Sequence, residues 1–171
     1  MKNPTNPMGC TNLKLRQLNR IVTRHYDSHV ASAGLKNTEY SLLSHVVKLG
    51  PIRPSDLAKR MQMDPSTLTR NMQPLVAQGW LKIGAGGDAR SRLVEVTDAG
   101  RVKRAEGQLA WKQAQLALNR RLGAERIAAL HRWLDECIEC ISDGTESGED
   151  AWVPKAMSEW EQRSVNVPRP F

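Results

Sequence analysis

Residues 54–104 read PSDLAKRMQMDPSTLTRNMQPLVAQGWLKIGAGGDARSRLVEVTDAGRVKR. The stretch predicts two short helices with a sharp turn between them, followed by a glycine-rich β-hairpin. Pro54 and Ser55 open the first helix, and Leu57, Ala58 and Met61 fall at i, i+1 and i+4 on one apolar face. Asp64 is placed to cap the second helix, because its carboxylate can accept from free N–H groups of the first turn. Pro65 suits the first helical position, where its missing donor costs nothing. Leu68, Met72, Leu75 and Val76 put one face of this helix in the core. Pro74 removes the hydrogen bond to the Arg70 carbonyl and predicts a bend near the helix middle.

The hairpin follows from alternation. Leu81 and Ile83 on one strand, and Val94 and Val96 on the other, each give a segment one buried face. Between them, GAGGDARSR is too rich in glycine to hold a strand and carries Arg90 and Arg92 near its apex. Helix, turn, helix and basic hairpin in this order are the layout of a winged helix-turn-helix, whose second helix enters the DNA major groove. Ser55, Ser66, Thr67, Thr69, Arg70 and Gln73 are then the candidate contacts of the helices. Hydroxyls reach phosphates or bases, and Arg can bridge guanine O6 and N7. Asp88, Arg90 and Arg92 are the candidates on the wing. Extended arginines suit the narrow minor groove, and Asp88 can orient Arg90 through a charge-assisted hydrogen bond.

The remaining chain is helical in pattern. Leu15, Leu18, Val22 and Tyr26 predict a helix over 12–33 ended by Gly34, and a second starts at Thr38 and ends before Gly50-Pro51. A long helix starts at Asp98, passes Val102, Leu109 and Leu116, and reaches about Asn119 before Gly123 breaks the pattern. The last, over 124–142, carries Ile127, Leu130, Leu134, Cys137 or Ile138, and Ile141 along one stripe. That stripe needs a cover, and a two-fold dimer built from the first and last helices supplies one. The fold class expected is mainly α with a small β-wing: a winged helix-turn-helix with N- and C-terminal dimerisation helices. The corresponding division is 1–36 for the N-terminal dimerisation helix, 37–100 for DNA binding, 101–142 for the C-terminal dimerisation helices and 143–171 for a linker and Trp-containing tail.

The motifs LAKRM, STLTR, the D-x-R of the wing and the closing Thr97 to Arg101 (TDAGR), with LRQLNRIVTRHYD and GLKNTEYSLL upstream, resemble the MarR family of bacterial transcription regulators. The resemblance spans about residues 10–142 and rests on the order and spacing of these motifs together. It implies a homodimeric, ligand-responsive repressor on a palindromic operator, released by a small aromatic or phenolic anion. Such an anion would bind where the first helix, the second helix and the start of the long helix meet. Arg16, Arg20, His45 and Trp111 are the residues of those regions fitted to serve that pocket. The alternative that the resemblance implies is a cysteine-based peroxide sensor of the same fold, for which Cys10 is the candidate, with Lys14 and Arg16 nearby to lower its pKa.

Composition agrees with a polyanion as partner. The net charge is +7, with a surplus of five positive charges in each of residues 1–52 and 53–104, balance over 105–142 and a surplus of three negative charges in the tail. Double-stranded DNA, a second copy of the chain and a small effector are the expected partners. No cofactor is expected, and no membrane partner, because no apolar run approaches a span. Three cysteines and no signal segment point to a reducing cytoplasm. An enzyme is not expected: there is no nucleophile with a nearby base, and GAGGDAR joins two strands where a nucleotide loop would join a strand to a helix. The Cys137-x-x-Cys140 pair lies in an amphipathic helix with no second pair, which predicts core packing over metal or redox use. His25 and His29 share a helix face but are two ligands at most, so solvated histidines are expected.

Overall fold

The computed structural model describes residues 9–85 and 92–142. Their order is α1 (Thr11–Val30), a 3₁₀ turn (Ala31–Ala33), α2 (Asn37–Leu49), α3 (Pro54–Arg60), α4 (Pro65–Ala77), β1 (Leu81–Ala85), β2 (Arg92–Val96), α5 (Asp98–Leu122) and α6 (Ala124–Ser142). The chain divides into two compact units, one ending at Leu118 and the other beginning at Asn119.

In the first unit the core joins α2, α3, α4 and the hairpin. Leu42, Leu43, Val46, Leu57, Leu68, Leu75 and Val94 are fully buried in it. Met61 is the C-cap of α3, and the chain turns through Gln62, whose φ of 50° is left-handed, before Met63 N–H donates to the Ala58 carbonyl at 2.9 Å. Pro65 then opens α4 at its first position. Asp64 occupies the N-cap, but its side chain makes no capping bond, so the expected carboxylate cap is replaced by pre-organisation from Pro65. The helix is continuous through the exposed Pro74. It buries Leu68, Met72 and Leu75 on one side.

α2 begins one residue earlier than Thr38. Lys36 is the N-cap, and Glu39 Oε2 accepts from its N–H at 2.8 Å, so the longer carboxylate supplies the cap expected of the threonine hydroxyl.

The strands are antiparallel with Leu81 opposite Val96 and Ile83 opposite Val94. Ile52 bridges to Val94 by a pair of backbone bonds of 2.9 and 3.2 Å, which ties the hairpin to the segment before α3. Leu81, Val94 and Val96 are buried, whereas Ile83 stays 43% exposed. The core reaches the base of the hairpin and stops there, so alternation alone overstated the burial of β1.

Thr97 joins hairpin to α5. Its Oγ1 accepts from Gly100 N–H at 3.0 Å and donates towards the carbonyls of Gly79 (2.6 Å) and Trp80 (3.2 Å), while its N–H donates to Trp80 at 3.1 Å. Gly100 is buried against Trp80, where an added Cβ would lie 2.0 Å from the carbonyl oxygen. Farther along, α5 buries Gly107, Ala110 and Ala114. These small side chains let it approach closely, with the Gly107 position against Leu35 and Tyr40. The heptad Val102, Leu109 and Leu116 faces the other way and is exposed.

In the second unit, α6 is led in by Gly123, whose φ of 84° breaks the helix as the sequence predicts. Ile127 is buried and Leu130 and Leu134 are half-buried, but Ile138 and Ile141 are exposed. Cys137 and Cys140 are exposed as well. Their expected core packing is not seen, because the C-terminal part of the stripe has no cover among the described residues of its unit.

Candidate nucleic-acid interface

The polar residues of α4 stand on the side opposite its core residues. Ser66, Thr67, Thr69, Arg70 and Gln73 are all exposed, while Leu68, Met72 and Leu75 anchor the helix. Positions 66, 69, 70 and 73 recur at three- and four-residue steps and therefore form one surface. The Thr69 hydroxyl donates to the Pro65 carbonyl at 2.8 Å, so it presents acceptor lone pairs to any partner. Ser55 is exposed at the start of α3. Arg53, Lys59 and Arg60 at the ends of that helix are exposed cations of the same segment. Arg92 is exposed at the start of β2, and Asp88 and Arg90 lie outside the described residues. On the strands, Lys82 pairs with Glu95 at 2.8 Å across the ladder.

Residues 33–91 match the MarR family model, and the match runs from the last residue of the 3₁₀ turn through α2, α3, α4 and β1. About a third of the chain thus carries the MarR-family match. Among the proteins this chain is similar to is an uncharacterized HTH-type transcriptional regulator of Bacillus subtilis, YwoH, 24% identical over 84 residues. That match takes in 49% of this chain and 61% of the relative, so the chain spans about three-fifths of its length. A mutant of MarR from E. coli, solved with operator DNA, superposes with a TM-score of 0.69 at 22% identity, over 74% of this chain and 92% of that one. The M. tuberculosis regulator MosR in complex with DNA gives 0.62 at 28% identity, over 75% and 98%. The MarR fold, mainly helical with a two-stranded wing, is thus present here.

The residues expected to receive an effector stand on α1, α2 and α5. Arg16 and Arg20 lie on the exposed side of α1. His45 Nδ1 bonds to the Ser41 carbonyl at 2.8 Å. Trp111 sits where α1, α2 and α5 meet, with the Tyr26 ring 6.0 Å and the Tyr40 ring 6.1 Å away, so aromatic packing fills the expected place. Burial pushes the Tyr26 hydroxyl up to about 12, and that hydroxyl donates to Gln115 Oε1. Beside it, His25 Nε2 bonds to the Ala114 carbonyl at 2.8 Å. His29 Nδ1 bonds to the His25 carbonyl at the same distance. Both rings are half-buried and not simply solvated, and their helix-face pairing is explained by these bonds. Among the described residues no group of three or more His, Cys, Asp or Glu side chains is arranged to hold a metal. No described helix is long and apolar enough to cross a membrane.

An open cleft of 330 Å³ lies instead between α1, α2 and the helix-turn-helix. Its polar lining is Asn19, Thr23, Asn37, Thr38, Ser41 and Asn71, and its apolar walls are Leu42, Met61, Met63 and Leu68. None of the ten stands out from the sequence as a binding residue. They come from four separate segments, and the one visible cue was the small polar side chains four residues apart at 19 and 23 on an amphipathic helix.

Proposed function

We propose that this chain is a homodimeric, ligand-responsive transcriptional repressor that binds a palindromic operator. The observation that carries the reading is the polar face of α4, with Ser66, Thr69, Arg70 and Gln73 exposed directly behind a buried Leu68-Met72-Leu75 anchor. Such a helix offers base-reading side chains on a rigid support. Ser55, Thr67 and Arg92 add contacts to the DNA backbone, and Asp88 and Arg90, outside the described residues, are the wing candidates for the minor groove. Solved relatives carry DNA on the same fold, which supports the partner class. In this reading residues 37–100 bind DNA, and 1–36 with 101–142 build the dimer. α1 leaves Leu13, Leu15, Leu18 and Ile21 exposed, and α6 leaves Trp133, Ile138 and Ile141 exposed, which is apolar area suited to a second copy. Two-fold symmetry then sets the recognition helices about 34 Å apart, one helical turn of DNA.

Arg70→Ala tests the reading. It is expected to cost about 1–3 kcal/mol at the cognate operator and to relax preference at one base pair per half-site, in titrations against cognate and random duplexes. Equal losses on both duplexes would reduce Arg70 to a phosphate contact.

One observation favours a second reading, hydroperoxide control through Cys10. The thiol is exposed at the N-cap of α1, and its Sγ accepts from Leu13 N–H at 3.4 Å. Under this reading wild-type protein leaves its operator on addition of hydroperoxide and Cys10→Ser does not. Equal release from both proteins, in the same shift assay, would exclude it.

A further inference from the structure

We infer that the cleft between α1, α2 and α4 takes an uncharged aromatic carrying an amide-like polar group, and not an aromatic acid. The inference rests on the effector role proposed above and names the chemistry of the ligand. The cleft offers hydrogen bonds without charge. Thr23 Oγ1 donates to Asn19 Oδ1 at 3.4 Å on α1. This pair, with Ser41 on α2 and Asn71 on α4, supplies donors and acceptors, and no Lys, Arg or His is among the described lining. Met61 and Met63 supply polarizable walls of the kind that receive an aromatic ring. The volume of 330 Å³ is at the small end for ligand sites and fits one or two rings.

A carboxylate entering this space finds no counter-charge among the described lining residues. Arg16 and Arg20 are exposed on α1 and outside the lining. The N-terminus of α2, whose free N–H groups would otherwise attract an anion, already holds two carboxylates. Asp27 Oδ1 accepts from Asn37 N–H at 2.7 Å, and Glu39 Oε2 accepts from Lys36 N–H at 2.8 Å. An anion beside Asn37 therefore meets the Asp27 carboxylate, and a partly desolvated charge without a partner is strongly disfavoured. A carboxamide keeps the shape and the acceptor of the acid and adds donors for Asn19 and Asn71, whose side-chain carbonyls accept.

The site is also placed to act on DNA binding. Met61 and Met63 flank Gln62, the left-handed residue of the turn, and Leu68 and Asn71 belong to α4. An occupant touches α1 and the recognition helix at once, so it stabilises whichever spacing of the two gives it better contacts, and operator affinity shifts reciprocally.

Calorimetric titration of the full chain without DNA, using 2-naphthamide and 2-naphthoate at neutral pH, tests the ligand class. The amide is expected to bind at one site per chain, about tenfold or more tighter than the acid. In Asn19→Leu/Thr23→Val, which removes polar groups from α1 at nearly constant volume, the amide should lose about tenfold and its advantage over the acid should vanish. Thermal denaturation of the unliganded variant reports whether it is folded, and the wild-type comparison of amide with acid stands without it. Acid binding as tight as the amide, no amide binding, or unchanged amide affinity in the folded variant would overturn the inference. Operator release is measured separately. If the amide binds and the operator complex survives, the effector role falls and the ligand class stands. If the amide fails to bind, the ligand class falls whatever the DNA assay shows.

Discussion

Replacing Gly100 by alanine is expected to cost this protein about 3 kcal/mol or more, lowering its melting temperature by roughly 6–12 °C. The sign is the informative part. Within a helix, Gly→Ala ordinarily gains about 1 kcal/mol through helix propensity. Here the new Cβ would lie 2.0 Å from the Trp80 carbonyl oxygen and 2.9 Å from Val96 Cγ2. A backbone carbonyl cannot step aside as a side chain can, so α5 must move off the base of the hairpin. That movement breaks the bonds from Thr97 N–H and Oγ1 to Trp80 and weakens the Thr97 cap on Gly100. Gly107→Ala is the internal control. Its Cβ would meet Leu35 Cδ1 and Tyr40 Cδ2, both at 2.8 Å, and side-chain ends can yield, so a smaller loss of about 1 kcal/mol is expected. Thermal and urea denaturation at one fixed protein concentration measure both variants. A Gly100→Ala protein as stable as the parent would show that α5 is not locked to the hairpin at this point.

The second large effect is expected from Ile141→Glu. Ile141 is 77% exposed in its own chain, so the substitution removes almost nothing from the fold of the monomer. If α6 covers a second copy, however, the carboxylate is buried without a partner at a cost of several kcal/mol. Light scattering should then report monomers at concentrations where the parent is dimeric. Affinity for a two-half-site operator should fall by about a hundredfold or more, because each reading head binds without its tethered neighbour. Leu15→Glu on α1, also half-exposed, is expected to act in the same direction. A variant that stays dimeric and keeps its affinity for the palindrome would place the interface elsewhere. Unchanged melting of a monomeric variant would confirm that the residue serves assembly and not the chain's own core.

Much of this molecule was written in short-range chemistry. Pro54, Pro65, Gly34, Gly50 and Gly123 mark helix ends because each acts through its own backbone torsions, and the helices begin or end beside them. Leu57, Leu68, Met72 and Leu75 were readable as core because helical spacing puts them on one face, and the exposed face of α4 followed by subtraction. Burial of the other elements depended on what lies opposite them. Periodicity identifies an apolar face but not whether a neighbour covers it, so Ile83, Leu109, Cys137 and Cys140 are exposed despite patterns that suit a core. The face of α5 that does pack is made of Gly100, Gly107, Ala110 and Ala114, residues that give little hydrophobic signal and matter because their smallness lets backbones approach. Tertiary structure also gathered the Tyr26, Tyr40 and Trp111 rings where α1, α2 and α5 meet and opened a cleft whose described lining is uncharged. That cleft exists only because residues 19 to 71 meet across several turns of chain. The charge environment of a cavity is set by side chains distant in sequence, and no local pattern encodes it.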